Sequence, residues 1–167
     1  MSEVCHGFAP IIGHQPKVMI LGTMPSVASL EEAFYYSHPR NAFWPIMAEI
    51  FHHPIESIDQ KRQLTESQPL ILWDVLQSCE REGSLDSAIR QPKANNFEHL
   101  AEAYPTIQAV FFNGQKAAQL FKQQVSKQQQ LPRDWFFQTL PSTSPANARM
   151  NLEQKTDAWR QKLTQFL

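Results

Sequence analysis

The stretch that decides the fold is VMILGTMPSVASLEEAFYYSHPRNAFW, residues 18–44. It opens with four apolar residues, Val18 to Leu21, and then breaks at Gly22-Thr-Met-Pro-Ser26. A short apolar run that ends at Gly and Pro predicts a buried strand followed by a tight loop. Gly22 permits a positive φ, and Pro25 donates no backbone hydrogen bond. The remaining N–H groups of this loop can therefore face outward.

Beyond that loop, the same stretch carries an unusual mixture of side chains, YYSHPRNAFW at residues 35–44. Aromatic rings interleaved with proline, one cation and one amide make poor core material. The same mixture suits a site that holds a flat, polar ring, and it is the first indication of function.

Three further apolar runs resemble the first and predict strands at Leu70–Trp73, Ala109–Phe112 and Trp135–Leu140. Strand and helix signals alternate, which predicts an α/β fold: a three-layer α/β/α domain with a short four-stranded parallel sheet, formed by residues 1–167 as one domain. In such folds ligands bind outside the carboxyl ends of the strands, here residues 22–44, 73–97, 113–116 and 141–149. The predicted helices begin near Pro45, near Gln60, behind an Asn96 N-cap, near Ala117 and behind an Asn151–Gln154 capping box, the last with Leu152, Trp159, Leu163 and Phe166 facing inward.

Composition bounds the class of protein. Apolar residues make up 42% of the chain and charged residues 19%, values typical of a globular domain. The apolar runs are too short to span a membrane, no signal peptide is recognisable, and Cys5 and Cys79 lack metal-ligand spacing. Residues 1–17 look like an irregular lead-in. We expect a cytoplasmic monomer with no metal ion, no cofactor and no membrane partner.

The charge distribution is compatible with a small nucleic-acid footprint. A net charge of −1 argues against a protein that coats nucleic acid. However, residues 22–30, 35–48 and 141–151 contain no Asp or Glu, and their charged residues are Arg40 and Arg149. One face of a neutral protein can therefore be positive.

Two polar features follow later strands. Pro141-Ser-Thr-Ser-Pro145 predicts a rigid loop whose small hydroxyl groups can hold a phosphate. Asp74 places a carboxylate at the same edge of the sheet, although a helix N-cap is the more usual role of such a residue. A serine hydrolase would need Ser142 or Ser144 beside His38 and Asp74, but the chain has no G-x-S-x-G sequence.

Taken together, these stretches resemble the motifs of the uracil-DNA glycosylase superfamily. Motif one is G-T-M-P-S at 22–26, the pocket stretch is 35–44, and motif two is L-P-S-T-S-P-A at 140–146. H-P-x-N-x-F-W within the pocket stretch resembles the mismatch-specific uracil glycosylases. With L-W-D-V at 72–75, the whole set is most similar to the hypoxanthine-DNA glycosylase branch, over residues 18 to about 165.

This resemblance implies a base-excision repair enzyme that hydrolyses the N-glycosidic bond of a deaminated base, most simply hypoxanthine, flipped out of double-stranded DNA. It implies that Asn41 orients water, that Ser142 donates a hydrogen bond to the leaving base, and that Asp74 accepts from the base edge or stabilises the cationic sugar. The other residues implied to bind the base are Gly22, Thr23, Met24, Tyr36 and His38. Those implied to bind DNA are Pro25, Ser26, Arg40, Thr143, Ser144, Asn147 and Arg149.

The chain departs from the uracil enzymes in two places. They carry Asp or Asn where Met24 stands, so ordinary uracil excision is not the expected reaction. They also carry a bulky wedge residue near the end of motif two, where residues 146–148 are small, so Arg149 or Met150 would have to serve. No Lys stands at a nucleophile position, which predicts a monofunctional glycosylase. Excision of uracil or thymine from mismatches, a non-catalytic nucleic-acid or nucleotide-binding module, and a small serine hydrolase are the alternatives.

Overall fold

The predicted strands and helices form, together with several elements that the sequence did not indicate. A computed structural model describes residues 4–167. Short 3₁₀ turns lie at Asp86–Ala88 and Thr164–Phe166, and a π turn at Lys122–Ser126 extends the fifth helix. In chain order the elements are β1 (Val4–His6), β2 (Ile11–Ile12), β3 (Val18–Gly22), α1 (Val27–Glu32), α2 (Phe43–Phe51), α3 (Ile58–Glu66), β4 (Leu70–Asp74), β5 (Leu76–Glu80), β6 (Arg90–Ala94), α4 (Phe97–Ala103), β7 (Ala109–Asn113), α5 (Gln115–Phe121), β8 (Phe136–Leu140) and α6 (Leu152–Leu163).

The central sheet has five strands in the order β2-β4-β3-β7-β8. The four predicted strands are confirmed as neighbouring parallel strands β3, β4, β7 and β8, with Gly22 opposite Asp74 and Asn113 opposite Leu140. The prediction of a four-stranded, purely parallel sheet is wrong, because the two-residue strand β2 adds antiparallel to β4. Two residues are too few to show an alternating pattern, so β2 left no signal in the sequence.

Apolar side chains cover both faces of this sheet, as the layered fold requires. Along β3, Val18 and Ile20 pack in a cluster with residues of α2, α3 and α6. Met19 and Leu21 point the other way, into a cluster with residues of α4 and α5. All four side chains are fully buried. A strand buried on both faces is continuously apolar rather than alternating, which explains the run that opens the deciding stretch.

A second sheet, which was not predicted, is antiparallel and has the strand order β1-β5-β6. It takes β1 from residues that were predicted to be an irregular lead-in, so that prediction is wrong, and it includes the β5–β6 hairpin, where no strand was predicted. Strand β6 contains Pro92 and is an edge strand, which is where a residue without an N–H group is tolerated. The hairpin matters for function because its tip, residues 84–87, reaches the site described below.

Helix ends follow the sequence closely. The Asn96 side chain accepts from His99 N–H at the start of α4, and Asn151 and Gln154 form the predicted capping box on α6. Trp159 and Leu163 are buried, but Leu152 is 51% exposed, so its inward placement is wrong. Leu152 is the first residue of α6, ahead of the turns that pack against the sheet. Helix α1 was not predicted.

The helices and the side-chain clusters of residues 4–167 bear on the membrane and metal predictions. None of the helices there combines the length and apolar composition that crossing a bilayer takes. Over the same residues, no three His, Cys, Asp or Glu side chains come together as a metal site requires.

Candidate active site

A cavity of about 600 Å³ opens at the carboxyl ends of the central strands. It lies beside the end of β3, from which the chain continues to β4 on one side and later to β7 and β8 on the other. Ligands of open α/β sheets bind at such a reversal of strand order. The volume is within the range of small-molecule sites and suits a single base with part of its sugar.

This one cavity is lined by nearly all of the residues that were selected from the sequence. The structure therefore brings together four segments that are far apart in the chain. Arg40 and Arg149 are the two exceptions: both are exposed and neither lines the cavity. The residues that do line it are Gly22, Thr23, Met24, Pro25, Ser26, Tyr36, His38, Asn41, Asp74, Ser142, Thr143, Ser144 and Asn147.

Two buried polar atoms in the wall of the cavity have no hydrogen-bond partner among residues 4–167. They are Oδ2 of Asp74 and the hydroxyl oxygen of Tyr36. Asp74 is only 3% exposed. Buried polar groups are almost always hydrogen-bonded in folded proteins, and an exception indicates a functional role or a missing ligand. These two atoms are therefore where a polar ligand would be expected to bind.

Burial raises the pKa of Asp74 to about 7, with a smaller contribution from the negative charge of Asp86 and an opposing one from the positive charge of Arg81. Burial also raises the pKa of Asp86, which Arg81, Lys116 and the Thr23 side chain lower. The cavity thus holds two carboxyl groups, and Asp74 gains and loses its proton near neutral pH.

Arg81 is a buried cation next to this site. It is 2% exposed, its Nη2 donates to the carbonyl oxygen of Pro25, and its Nε and Nη1 have no hydrogen-bond partner among residues 4–167. No carboxylate in that part of the chain lies within ion-pair distance of it. Arg81 therefore attaches the second sheet to the loop after β3 and contributes a positive charge that favours ionised Asp74.

Position 22 requires glycine because its surroundings leave no space for a side chain, and not because of its backbone conformation. Its φ is not positive, so the conformational freedom of glycine is not used at this residue. A Cβ atom at position 22 would lie 2.6 Å from Asp74 Oδ1 and 2.9 Å from the Tyr36 hydroxyl oxygen. Both distances are shorter than real Cβ contacts. Any side chain here would displace the two groups that shape the cavity wall.

The loop after β3 presents amide groups that the fold does not use. Its carbonyl oxygens are engaged: Gly22 accepts from Val75 N–H, and Thr23 accepts from Leu76 N–H. No hydrogen bond found among residues 4–167 uses the N–H of Thr23 or Met24. The Met24 side chain is 8% exposed and packs in the core cluster with Leu21. Position 24 thus offers the cavity a backbone donor and an apolar side chain.

Tyr36 is held in an unusual position. Its φ is +53°, a left-handed conformation that costs a bulky residue on the order of 1 kcal/mol or more. Its ring stacks on Phe43 with a centroid separation of 4.1 Å. One face of the Tyr36 ring is therefore already covered by the protein, which leaves the other face and the hydroxyl group for a ligand. Burial raises the pKa of this hydroxyl, so it stays protonated.

Asn41 and His38 lie in the turn that starts α2. Asn41 Oδ1 accepts from Phe43 N–H at 2.9 Å, which identifies that atom as the oxygen and leaves the NH₂ group free to donate. His38 Nδ1 accepts from Arg40 N–H at 3.1 Å, so neutral His38 carries its proton on Nε2. Both side chains are half-buried in the cavity wall and offer donors to its contents.

The loop after β8 is held rigidly from behind. Asn113 binds Thr143 twice, accepting from its N–H and donating to its hydroxyl, each at 2.9 Å. Ala42 N–H donates to Thr143 C=O, and the buried Lys155 donates to Ser144 C=O. Thr143 has no exposed surface. Its side chain therefore positions the loop and cannot reach a phosphate as the sequence analysis expected.

The serine-hydrolase alternative finds no support in the hydrogen bonding. Ser142 Oγ accepts from Ser144 N–H, and Ser144 Oγ accepts from Ala146 N–H. Among residues 4–167, no hydrogen bond joins either serine to His38, or His38 to Asp74. The nucleophile and its base are therefore not paired as a triad requires.

Several cavity residues were not selected individually, although they lie in segments 73–97 and 113–116, which were predicted to follow the carboxyl ends of strands. Asn113 lines the cavity, and its position directly after an apolar strand could have indicated it. Ser84, Leu85, Asp86 and Ser87 also line the cavity, from the tip of the β5–β6 hairpin. Nothing in the sequence indicated that this hairpin folds back over the site, because its strands are irregularly paired and not alternately apolar.

Comparisons with known proteins place this chain in one family. The family profile described as "Uracil DNA glycosylase superfamily" matches residues 10–167. A protein of Methanosarcina barkeri named hypoxanthine DNA glycosylase is 31% identical over 157 residues, covering 92% of this chain and 94% of that protein. One of the same name from Methanosarcina acetivorans is 30% identical over 155 residues, covering 90% and 93%.

A solved structure also has this fold. It is the solution NMR structure of a Methanosarcina acetivorans protein provisionally named a uracil DNA glycosylase. The TM-score is 0.76 at 27% sequence identity, over 95% of this chain and 98% of that one.

Proposed function

This chain belongs to the uracil DNA glycosylase superfamily and is a DNA glycosylase, and we propose that it removes hypoxanthine from double-stranded DNA that contains deoxyinosine. The observation that carries the choice of base is the buried Asp74 carboxyl group, whose Oδ2 has no hydrogen-bond partner among residues 4–167. Two relatives named hypoxanthine DNA glycosylase support the same choice.

A carboxylate in this position selects for the base edge of hypoxanthine. Hypoxanthine carries a hydrogen on N1, which ionised Asp74 can accept, whereas neutral adenine presents a lone pair there and would be repelled. The unused N–H groups of Thr23 and Met24 can donate to the carbonyl oxygen of the base. The free face of Tyr36 is available to stack on its ring.

The reaction breaks the bond between C1′ and the purine nitrogen and joins a water oxygen to C1′, and the proton that the water loses ends on the departed purine. The electron pair of the broken bond leaves with the base, so negative charge develops on the purine and positive charge on the sugar. The Ser142 hydroxyl group and the His38 Nε2–H are donors that can stabilise the leaving base. Asn41 is not a base at neutral pH, and its work is to orient water and the sugar through its amide.

The phosphates beside the flipped nucleotide would meet the two loops at the cavity mouth. Ser26 lies at the N-terminus of α1, and Ser144 and Asn147 lie on the loop held by Asn113. Arg40 and Arg149 are exposed outside the cavity, where they can contact phosphates further along the duplex.

An alkali-cleavage assay on end-labelled duplexes tests the proposal. Each duplex carries one deoxyinosine, deoxyuridine or deoxyxanthosine, and the assay compares wild type with Asn41→Ala. Strand scission at deoxyinosine that the variant loses supports hypoxanthine excision with Asn41 in the site.

Two other results would contradict the proposal. Scission at deoxyuridine alone would make this a uracil enzyme without the usual acidic or amide residue at position 24. Binding to deoxyinosine DNA without scission would mean that the fold serves recognition only.

A further inference from the structure

A glycosylase that flips a base leaves a gap in the stack, and the duplex closes again unless something fills that gap. Proteins that unstack DNA commonly insert an apolar side chain between the bases. Such a side chain must lie at the mouth of the base cavity, be exposed before DNA binds, and rest on a rigid support.

One side chain meets the first two conditions. Eight large hydrophobic residues are mostly exposed in the part of the chain that the structure describes, and of these Leu85 alone lines the cavity. Leu85 is 65% exposed, the most exposed of the eight. An exposed leucine at the edge of this cavity is an apolar surface that bound DNA could cover.

The support of Leu85 is firm on both sides. Before it, the Ser84 hydroxyl oxygen accepts from Val27 N–H at 2.9 Å, which attaches the hairpin tip to the start of α1. After it, Ala88 N–H donates to Leu85 C=O at 3.0 Å and closes a 3₁₀ turn. Further down the hairpin, buried Arg81 donates to Pro25 C=O. These bonds fix the backbone of Leu85 and leave its side chain free.

Leu85 and the loop after β8 also lie on opposite sides of the cavity. The hairpin follows β4, and β4 and β8 lie on opposite sides of β3 in the sheet. The loop after β8 carries small side chains at Ala146 and Ala148, and Arg149 lies outside the cavity lining. The hairpin supplies, on the opposite side of the cavity mouth, the large side chain that this loop lacks.

Resting on the proposed function, we propose that Leu85 enters the duplex and fills the space that the flipped base leaves. The hairpin between β5 and β6 is then part of the DNA-binding surface, and Leu85 acts on flipping and not on bond cleavage. Its neighbour Asp86 faces the cavity, where the base is received, and not the phosphates.

The test measures single-turnover excision from a duplex with one deoxyinosine, comparing wild type, Leu85→Ala, Leu85→Met and the control Ile58→Ala. Ile58 is an exposed aliphatic residue at the start of α3, away from the cavity. We expect Leu85→Ala to be slower by about tenfold or more, since a leucine that becomes buried on binding is worth that factor. Leu85→Met and Ile58→Ala should stay close to wild type.

A second substrate shows whether Leu85→Ala is slow because the gap stays unfilled or because the variant has a structural defect. A bulky planar hydrocarbon nucleoside opposite the deoxyinosine occupies the gap itself, and it should restore most of the rate of Leu85→Ala. An unchanged rate for Leu85→Ala, or a loss that this substrate does not restore, overturns the proposal. If wild type cleaves neither duplex, the proposed function fails instead. Loss of rate in Met150→Ala alone would place the wedge after β8.

Discussion

The Oδ1 atom of Asn41 accepts a hydrogen bond from the backbone N–H of Phe43 at 2.9 Å. The same side chain thus holds the start of α2 through its oxygen and faces the cavity with its NH₂ group. Two substitutions separate these roles, because Asp keeps the accepting oxygen and loses the donor, whereas Ala loses both.

We expect Asn41→Asp to retain wild-type stability and Asn41→Ala to lose about 1 kcal/mol, the usual value of such a hydrogen bond. Both variants should lose excision at deoxyinosine by about 100-fold or more, the scale of a positioned polar group in the transition state. Urea unfolding and single-turnover assays measure the two effects. An active Asn41→Asp would show that the donor is unnecessary.

The excision rate of wild type should rise with pH and level off above an apparent pKa of about 7, the value to which burial raises the pKa of Asp74. The sign follows from the chemistry, since the ionised carboxylate accepts the N1–H of hypoxanthine and the protonated form does not. Asp74→Asn should be slow and nearly independent of pH between 5.5 and 8. A rate that falls with pH over this range would exclude the role given to ionised Asp74.

Removing the positive charge of Arg81 should move that profile to higher pH. Arg81 lowers the pKa of Asp74, so Arg81→Gln is expected to raise the apparent pKa, by up to about one unit. Glutamine keeps a donor for the Pro25 carbonyl oxygen, and Arg81→Lys, which keeps the charge, is the matched control. If both variants titrate like wild type, the charge of Arg81 does not reach the site.

Asp74 should also lower the stability of the protein above neutral pH. Its pKa is raised in the folded state, so the folded protein binds this proton more tightly than the unfolded chain does. The free energy of unfolding therefore decreases as pH rises from about 4 through 7, and the full cost is present above 7. Asp74→Asn should be more stable than wild type by on the order of 2–4 kcal/mol at pH 8, and by little at pH 4.

Thermal unfolding at the two pH values measures this difference. Asp59→Asn is a suitable control, because Asp59 lies in the first turn of α3 and not in the cavity. An Asp74→Asn variant that is less stable than wild type at pH 8 would show that the buried carboxylate has partners in solution.

The centre of the main sheet could be predicted because β3, β4 and β7 are buried on both faces. Ala109–Phe112 and Leu70–Trp73 are apolar throughout, and Gly or polar residues end them, so local sequence was sufficient. The cavity followed from the same fact, since the polar residues after those strands meet at one edge of the sheet. Strand β2 and the second sheet were missed because they are short, half-exposed and paired over long distances.

Roles that depend on distant partners were harder to predict. Thr143 looked like a phosphate contact from its hydroxyl group, but Asn113, 30 residues away, occupies that group. Leu85 has no feature in the sequence that distinguishes it from an ordinary loop residue. Its place at the cavity depends on Arg81 and Ser84 reaching the loop after β3, which only the folded chain shows.

The missing Cβ of Gly22 has a consequence for how this enzyme could acquire other substrates. Position 22 touches both Asp74 and Tyr36, yet contributes no charge, donor or ring to the cavity. The positions of Asp74 and Tyr36 thus depend on the absence of a side chain at residue 22. A one-carbon change at Gly22 would displace one or both of these groups, so the choice of base could change although Asp74 and Tyr36 themselves remained in the sequence.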